Sequence, residues 1–173
     1  MAEGLERILS EQTLGLHKNF LMDKRLKYSV LKKSIPELSE KSIKEILRMR
    51  IKEREEIEDL YSDILYHEVY FSSFGREYQS SKAVKKRFRT EPSFLYELYE
   101  AVKNEKNGFL LIYVSSGCVN YTVASKNRFL KHEPVLALDL CEHAYFLDYG
   151  FDRENYLKNS LALLNLNFLD KYF

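Results

Sequence analysis

Asp139-Leu140-Cys141-Glu142-His143-Ala144-Tyr145 sets an imidazole four residues after a carboxylate, directly behind the apolar run Pro134-Val135-Leu136-Ala137-Leu138. That run reads as a buried strand. A hard oxygen donor leaving a buried strand, with a nitrogen donor one short turn later, is half of a metal site. Whether the chain supplies the other half decides both fold and function.

Two long helical patterns lie upstream. Ser10 can cap a helix bearing Leu14, Leu21 and Tyr28, with His17 on the same stripe. It should run to about Ser34, because Ile35 precedes Pro36 and is biased away from helical geometry. Ser42 with Glu45 has the pattern of a capping box for a short helix through Ile43, Ile46 and Leu47. Residues 48–58, dense in both charge signs, read as a solvated helical face or a connection. Leu60, Ile64, His67, Phe71 and Phe74 then recur at spacings of four, three, four and three, and Gly75 is a plausible stop. Both stripes carry one histidine.

The second half changes period. Ser80 to Arg89 is basic and reads as a charged surface connection rather than an anion-binding patch, given the neutral total. Thr90 to Val102, with Pro92 in its first turn, predicts a third helix. Phe109 to Val114 and Val119 to Val123 read as strands joined at Ser115-Ser116-Gly117, and Pro134 to Leu138 adds another. Asp152 caps a last helix with Tyr156, Leu157, Leu161, Leu164 and Phe168 on its inner side. The order predicts an α+β protein, a long N-terminal α-hairpin over residues 1–80 followed by an α+β domain over residues 81–173, with the site between them.

Composition narrows the classes. The 173 residues can bury a substantial interior. Lys and Arg number 27 against 26 Asp and Glu, which gives no bulk electrostatic reason to expect nucleic acid or an anionic membrane surface as partner. No apolar run approaches the roughly 20 residues that span a bilayer. The N-terminal residues lack the basic start and apolar core of a secretion signal, and two cysteines form no framework, so a reducing cytoplasm is the expected setting.

Three of the four histidines sit where the pattern is tightest. A lone histidine on an apolar face is more often a satisfied core residue than a ligand. Two antiparallel helices each presenting one, toward His143 and Asp139, reverse that expectation. Burying three imidazoles and a carboxylate separately costs several kcal/mol each, on the order of any unpaired buried polar group, unless they are paired. One ion satisfies all four. His17, His67, Asp139 and His143, separated by 50, 72 and 4 residues, suit manganese, iron or zinc by donor type and are drawn from the whole fold rather than a short motif. His132 reads as an exposed loop residue.

These residues carry a resemblance. Asp139 to Tyr145 resembles the D-x-W-E-H-A-Y signature of the iron/manganese superoxide dismutases. Tyr156-Leu157 and Ala162-Leu163-Leu164-Asn165 are similar to that family's last helix, Leu9 to His17 to its first, and Tyr66 to Phe71 to the stretch carrying its second ligand. The resemblance implies a three-stranded antiparallel sheet with flanking helices. It also implies one redox-active iron or manganese ion per subunit, superoxide as substrate, and dismutation to oxygen and hydrogen peroxide. Glu142 matches the carboxylate that reaches the partner's ligand histidine, implying a homodimer through Glu142 and His143. Arg153 matches a basic residue that helps draw in the anion.

The departures are as informative. Positions usually holding a histidine and a gateway tyrosine are Leu21 and Arg25 here, and the tyrosine across the dimer is Phe146. Both ends of one hydrogen bond are thus replaced together, which leaves no buried donor unsatisfied. Arg25 could partly offset the missing tyrosine by attracting the anion. Tryptophan positions fall on Phe71, Phe109 and Cys141. The amide that hydrogen-bonds metal-bound solvent corresponds to Asn127, or, as in some iron-type members, to the position of Asp63. The alternative expectation is a dismutase-fold metal-binding protein with weak or no dismutase activity, serving sensing, storage or assembly.

Overall fold

In the computed structural model, residues 4–75, 80–124 and 129–173 are described. Helix α1 spans Glu11–Ser34, and Ser10 caps it by accepting from the Thr13 amide. It ends where expected, with Ile35 extended ahead of Pro36. The short α2, Ile43–Ile46, has its complete capping box between Ser42 and Glu45. Helix α3 runs over Arg54–Ser72 and buries Ile57, Ile64, Tyr66, His67 and Tyr70. Packed side by side, α1 and α3 make the expected hairpin.

The basic run departs from expectation. Lys82–Phe88 is a helix, α4, rather than a connection. Ser81 caps it, and the Asp170 carboxylate accepts from the Lys82 and Ala83 amides and from the Ser81 hydroxyl. An acid at a helix N-terminus supplies partners for amides that no helical carbonyl can reach. Helix α5, Glu91–Val102, follows with Thr90 as its cap.

Strands β1 (Phe109–Ser115), β2 (Cys118–Ala124) and β3 (Leu136–Asp139) form one antiparallel sheet in the order β2-β1-β3. Ser116 and Gly117 both take positive φ in the β1–β2 turn, the geometry that matches strand twist in a two-residue hairpin. In the register, Phe109 faces Asp139. The short α6 (Phe146–Tyr149) and α7 (Arg153–Ala162) follow. Helix α7 is shorter than its apolar spacing suggests: Leu164 leaves the helix to bridge Phe74, and Phe168 lies in a 3-10 segment over Leu166–Tyr172.

The main core is continuous across the N-terminal and C-terminal halves, joining Leu5, Leu14, Tyr66 and Tyr70 to the sheet, α5 and α7. A small second cluster of Leu38, Ile46 and Ile57 closes the far end of the helical hairpin. The exit of α3 is pinned from three sides. Gly75 donates to the Leu163 carbonyl at 2.9 Å, and Asn165 donates to the Ser73 carbonyl at 2.8 Å. Gly4 lies so close to the Gly75 backbone that a Cβ there would fall 2.1 Å from its carbonyl oxygen. Among the described residues, no helix is long and apolar enough to cross a membrane.

Candidate metal centre

Four elements deliver the expected side chains to one point. His17 comes from α1, His67 from α3, Asp139 from the last position of β3, and His143 from the 3-10 turn Glu142–Ala144. One donor atom from each lies within 4.8 Å of the others. The Nε2 atoms of His17, His67 and His143 stand 3.2, 3.5 and 3.0 Å from a single oxygen, Asp139 Oδ2. His17, His67 and Asp139 are buried, while the His143 side chain is 36% exposed and marks the open side.

Hydrogen bonds fix each donor's approach. Ser73, at the end of α3, bonds the Val69 carbonyl and accepts from the Ala137 amide at 2.7 Å, locking β3 to the helix that carries His67. Tyr156 donates to the Asp139 carbonyl. The Cys141 amide donates to Asp139 Oδ1 at 2.8 Å, which leaves Oδ2 facing the imidazoles. The backbone amide of Ser10 donates to Asp148 in α6 at 2.8 Å, tying the start of α1 to the stretch after His143.

The electrostatics test whether this donor set fits a cation. Asp139 is fully buried, and burial alone pushes its carboxyl up, yet His143 and His17 outweigh burial and hold it well below the usual carboxylate range. Burial lowers His17 and outweighs the pull of Asp139, so His17 favours the neutral imidazole that a metal requires. Burial also acts to lower His67, but Asp63 and Asp139 together raise it. Only His143 makes a hydrogen bond to Oδ2; both ring nitrogens of His17 and the Nε2 of His67 have no hydrogen-bond partner among the described residues. Each orphaned buried group costs about 1–3 kcal/mol. Three imidazole nitrogens converging on one carboxylate oxygen are satisfied together by one cation, so the residues fit a mononuclear site.

Aromatic rings wall the cluster. Phe71 lies 5.0 Å from His17 and Phe109 4.9 Å from His67, centroid to centroid, at two of the expected tryptophan positions. Cys141 holds the third, where burial pushes its thiol up to about 12 and its sulfur accepts from the Gly108 amide.

Residues 76–172, more than half of the chain, match the family model of the iron/manganese superoxide dismutase C-terminal domain. This chain belongs to that family. No curated protein sequence gives a match to the chain. In the superoxide dismutase family the metal is iron or manganese, and the cluster of His17, His67, Asp139 and His143 could bind it.

The remaining expected site residues are distributed differently. Glu142 is exposed beside His143. Arg25 is exposed and paired with Glu68 at 2.6 Å, so its charge is engaged on the surface of the hairpin. The guanidinium of Arg153 donates to the carbonyls of Val102, Lys103 and Glu105 and closes the C-terminal end of α5. Asp63 lies on the Nδ1 side of His67, with Oδ1 3.2 Å from that nitrogen, while Nε2 faces the cluster. Asn127 lies outside the described residues. Leu21 is buried and Phe146 exposed.

Two residues at the mouth escaped the sequence reading. Phe20 covers His143 with its ring 4.7 Å away and reaches His67 at 5.5 Å, and Lys24 sits over Phe20 at 4.9 Å. The spacing was available: Phe20 and Lys24 follow His17 by three and seven residues, which is one helical face.

Proposed function

We propose that the protein is a superoxide dismutase that holds one iron or manganese ion per subunit through His17, His67, Asp139 and His143. The observation that carries this reading is the convergence of three Nε2 atoms on Asp139 Oδ2. A bound iron or manganese would supply one-electron chemistry, by which two superoxide ions and two protons yield oxygen and hydrogen peroxide. The donors carry a single negative charge between them, so a divalent or trivalent centre stays net positive and favours a small anion. Phe71 and Phe109 keep bulk water from the buried side, while half-exposed His143, partly covered by Phe20, marks the side of approach.

The functional unit we propose is a homodimer in which Glu142 of each chain orients His143 of the other. Exposed Phe146, Leu147 and Phe151 beside the exposed Glu142 and His143 support it, since such a patch gains from being covered. The cytoplasm is the proposed compartment, in keeping with two free cysteines.

The test is dismutation by protein loaded separately with iron and with manganese, alongside metal analysis of protein purified without added metal. Turnover well above that of the free ions, abolished by His67→Ala, supports the reading. One observation favours a second: Arg25 is paired with Glu68, and Leu21 and Phe146 leave the approach without a hydrogen-bonded tyrosine. A metal-binding protein of this family with weak or no dismutase activity would bind one ion tightly, yet turn over superoxide no faster than the free ion.

A further inference from the structure

One ligand histidine differs from its neighbours on the face turned away from the cluster. His67 Nδ1 lies 2.7 Å from the Asp63 backbone carbonyl and 3.2 Å from Asp63 Oδ1, one turn earlier on α3. The other carboxylate oxygen, Oδ2, lies 2.7 Å from Lys24 Nζ on α1. Asp63 is only 3% exposed, so its charge needs a partner, and Lys24 supplies it. His17 Nδ1 has no hydrogen-bond partner among the described residues. The chain therefore reads Lys24, Asp63, His67 from the edge of the helical hairpin inward, with alternating charge.

We infer that Asp63 is a positioning residue that, clamped by Lys24, presents His67 as an Nε2 ligand and makes it a more strongly donating ligand than His17. The inference rests on the metal-site reading above. The backbone carbonyl alone selects the tautomer, because an Nδ1–H that donates leaves Nε2 free. The carboxylate adds a negative charge behind the ring, which raises the basicity of the ligand. Lys24 follows His17 on α1 and Asp63 precedes His67 on α3, so the pair also sets the offset between the two ligand-bearing helices. A buried anion behind a ligand favours the oxidised metal; a cation beyond it opposes that effect.

The experiment compares wild-type protein with Asp63→Asn, Lys24→Met and Asp63→Glu, each refolded with iron and checked by circular dichroism. Affinity is read by chelator competition, and the iron midpoint potential by mediated redox titration. Asp63→Asn is expected to bind iron roughly tenfold or more weakly, within the range for outer partners of ligand histidines. It should also raise the potential, Lys24→Met should lower it, and Asp63→Glu should restore much of the affinity. Shifts of the same sign in Asp63→Asn and Lys24→Met, or no shift in either, overturn the inference while leaving the metal site standing. Wild-type protein that binds no iron overturns both. If Asp63→Asn does not fold, Lys24→Met decides alone, and an unchanged potential overturns the inference.

Discussion

Tyr156 donates its hydroxyl to the backbone carbonyl of Asp139 across 2.8 Å, and both residues are buried. The same hydroxyl lies 3.4 Å from that of Tyr70, whose ring packs 5.2 Å from His17. The end of β3 is thereby attached to α7 and, through Tyr70, to the helix that carries His67. Tyr156→Phe removes the donor and strands the carbonyl. We expect a loss of about 1–3 kcal/mol in urea denaturation of the metal-free protein. Metal affinity should fall with it, since the Asp139 backbone is then held by fewer contacts.

Removing a ligand separates binding from folding. Wild-type protein should gain stability from added manganese or iron by mass action, on the order of 2.7 kcal/mol when the free ion is a hundredfold above its dissociation constant. His67→Ala and Asp139→Asn should lose that gain. Melting curves with and without metal check it, and a metal-dependent rise that survives in both variants would remove these residues from the ligand set.

Phe20 is the cover over His143. Phe20→Ala should cost about 1–2 kcal/mol for a half-buried ring. Its larger effect should be on exchange, because the ring closes the side from which water and chelators reach the cluster. Metal release to a chelator, followed by stopped flow, should be faster in Phe20→Ala than in wild type.

Arg153 offers a choice between two roles that can be measured apart. Three carbonyls at the end of α5 take its hydrogen bonds, so Arg153→Ala should lose about 2 kcal/mol of stability. Arg153→Lys should recover little of it, because an ammonium cannot reach all three with the guanidinium's fixed fork. If Arg153 also steers superoxide, the salt dependence of kcat/KM will flatten in Arg153→Ala but not in Arg153→Lys, which keeps the charge. A capping role alone leaves that slope unchanged.

Acid stability should follow Glu91. Burial pushes its carboxyl up, but the Ser80 hydroxyl, backbone amides and Lys85 outweigh burial and hold it down at about 2 against an ordinary 4.5. A carboxyl that is more acidic when folded stabilises the protein above its unfolded value and stops doing so as pH falls through its folded value. Wild-type protein should therefore lose stability between about pH 4.5 and 2, and Glu91→Gln should be less stable at pH 5 but lose less across that window. Urea midpoints at pH 5 and pH 3 give the comparison.

Wherever the determinants are local, the sequence is readable. Ser10 and Pro36 set both ends of α1, Ser42 with Glu45 sets α2, and Ser116-Gly117 sets the hairpin, each through contacts within a few residues. His17 and His67 were legible because each interrupts an apolar stripe, and Asp139 and His143 because they follow directly on a buried strand. Helix α4 was not, since Ala83 and Val84 are too few to form a stripe and Asp170, which accepts from its first amides, lies more than 80 residues away. The carbonyls that take the hydrogen bonds of Arg153 lie about 50 residues earlier in the chain, so no local pattern announces them. Lys24 and Asp63 lie beside the stripes rather than on them, so only the packing of α1 on α3 brings them together.

The seam at the exit of α3 has a consequence for how the centre comes into being. A chain emerging from the ribosome presents His17 and His67 long before Asp139 and His143, and the bonds from Leu163 and Asn165 that pin the end of α3 come later still. Gly4 packs against Gly75 at that same seam, where no side chain fits at residue 4. Gly4 and residues 163–165 therefore meet at the foot of the helix that carries His67. A polypeptide that stops short of Asp139 and His143 holds its first two histidines without the other two donors, so the proposed ion site can close only after residues 139–143 have been made.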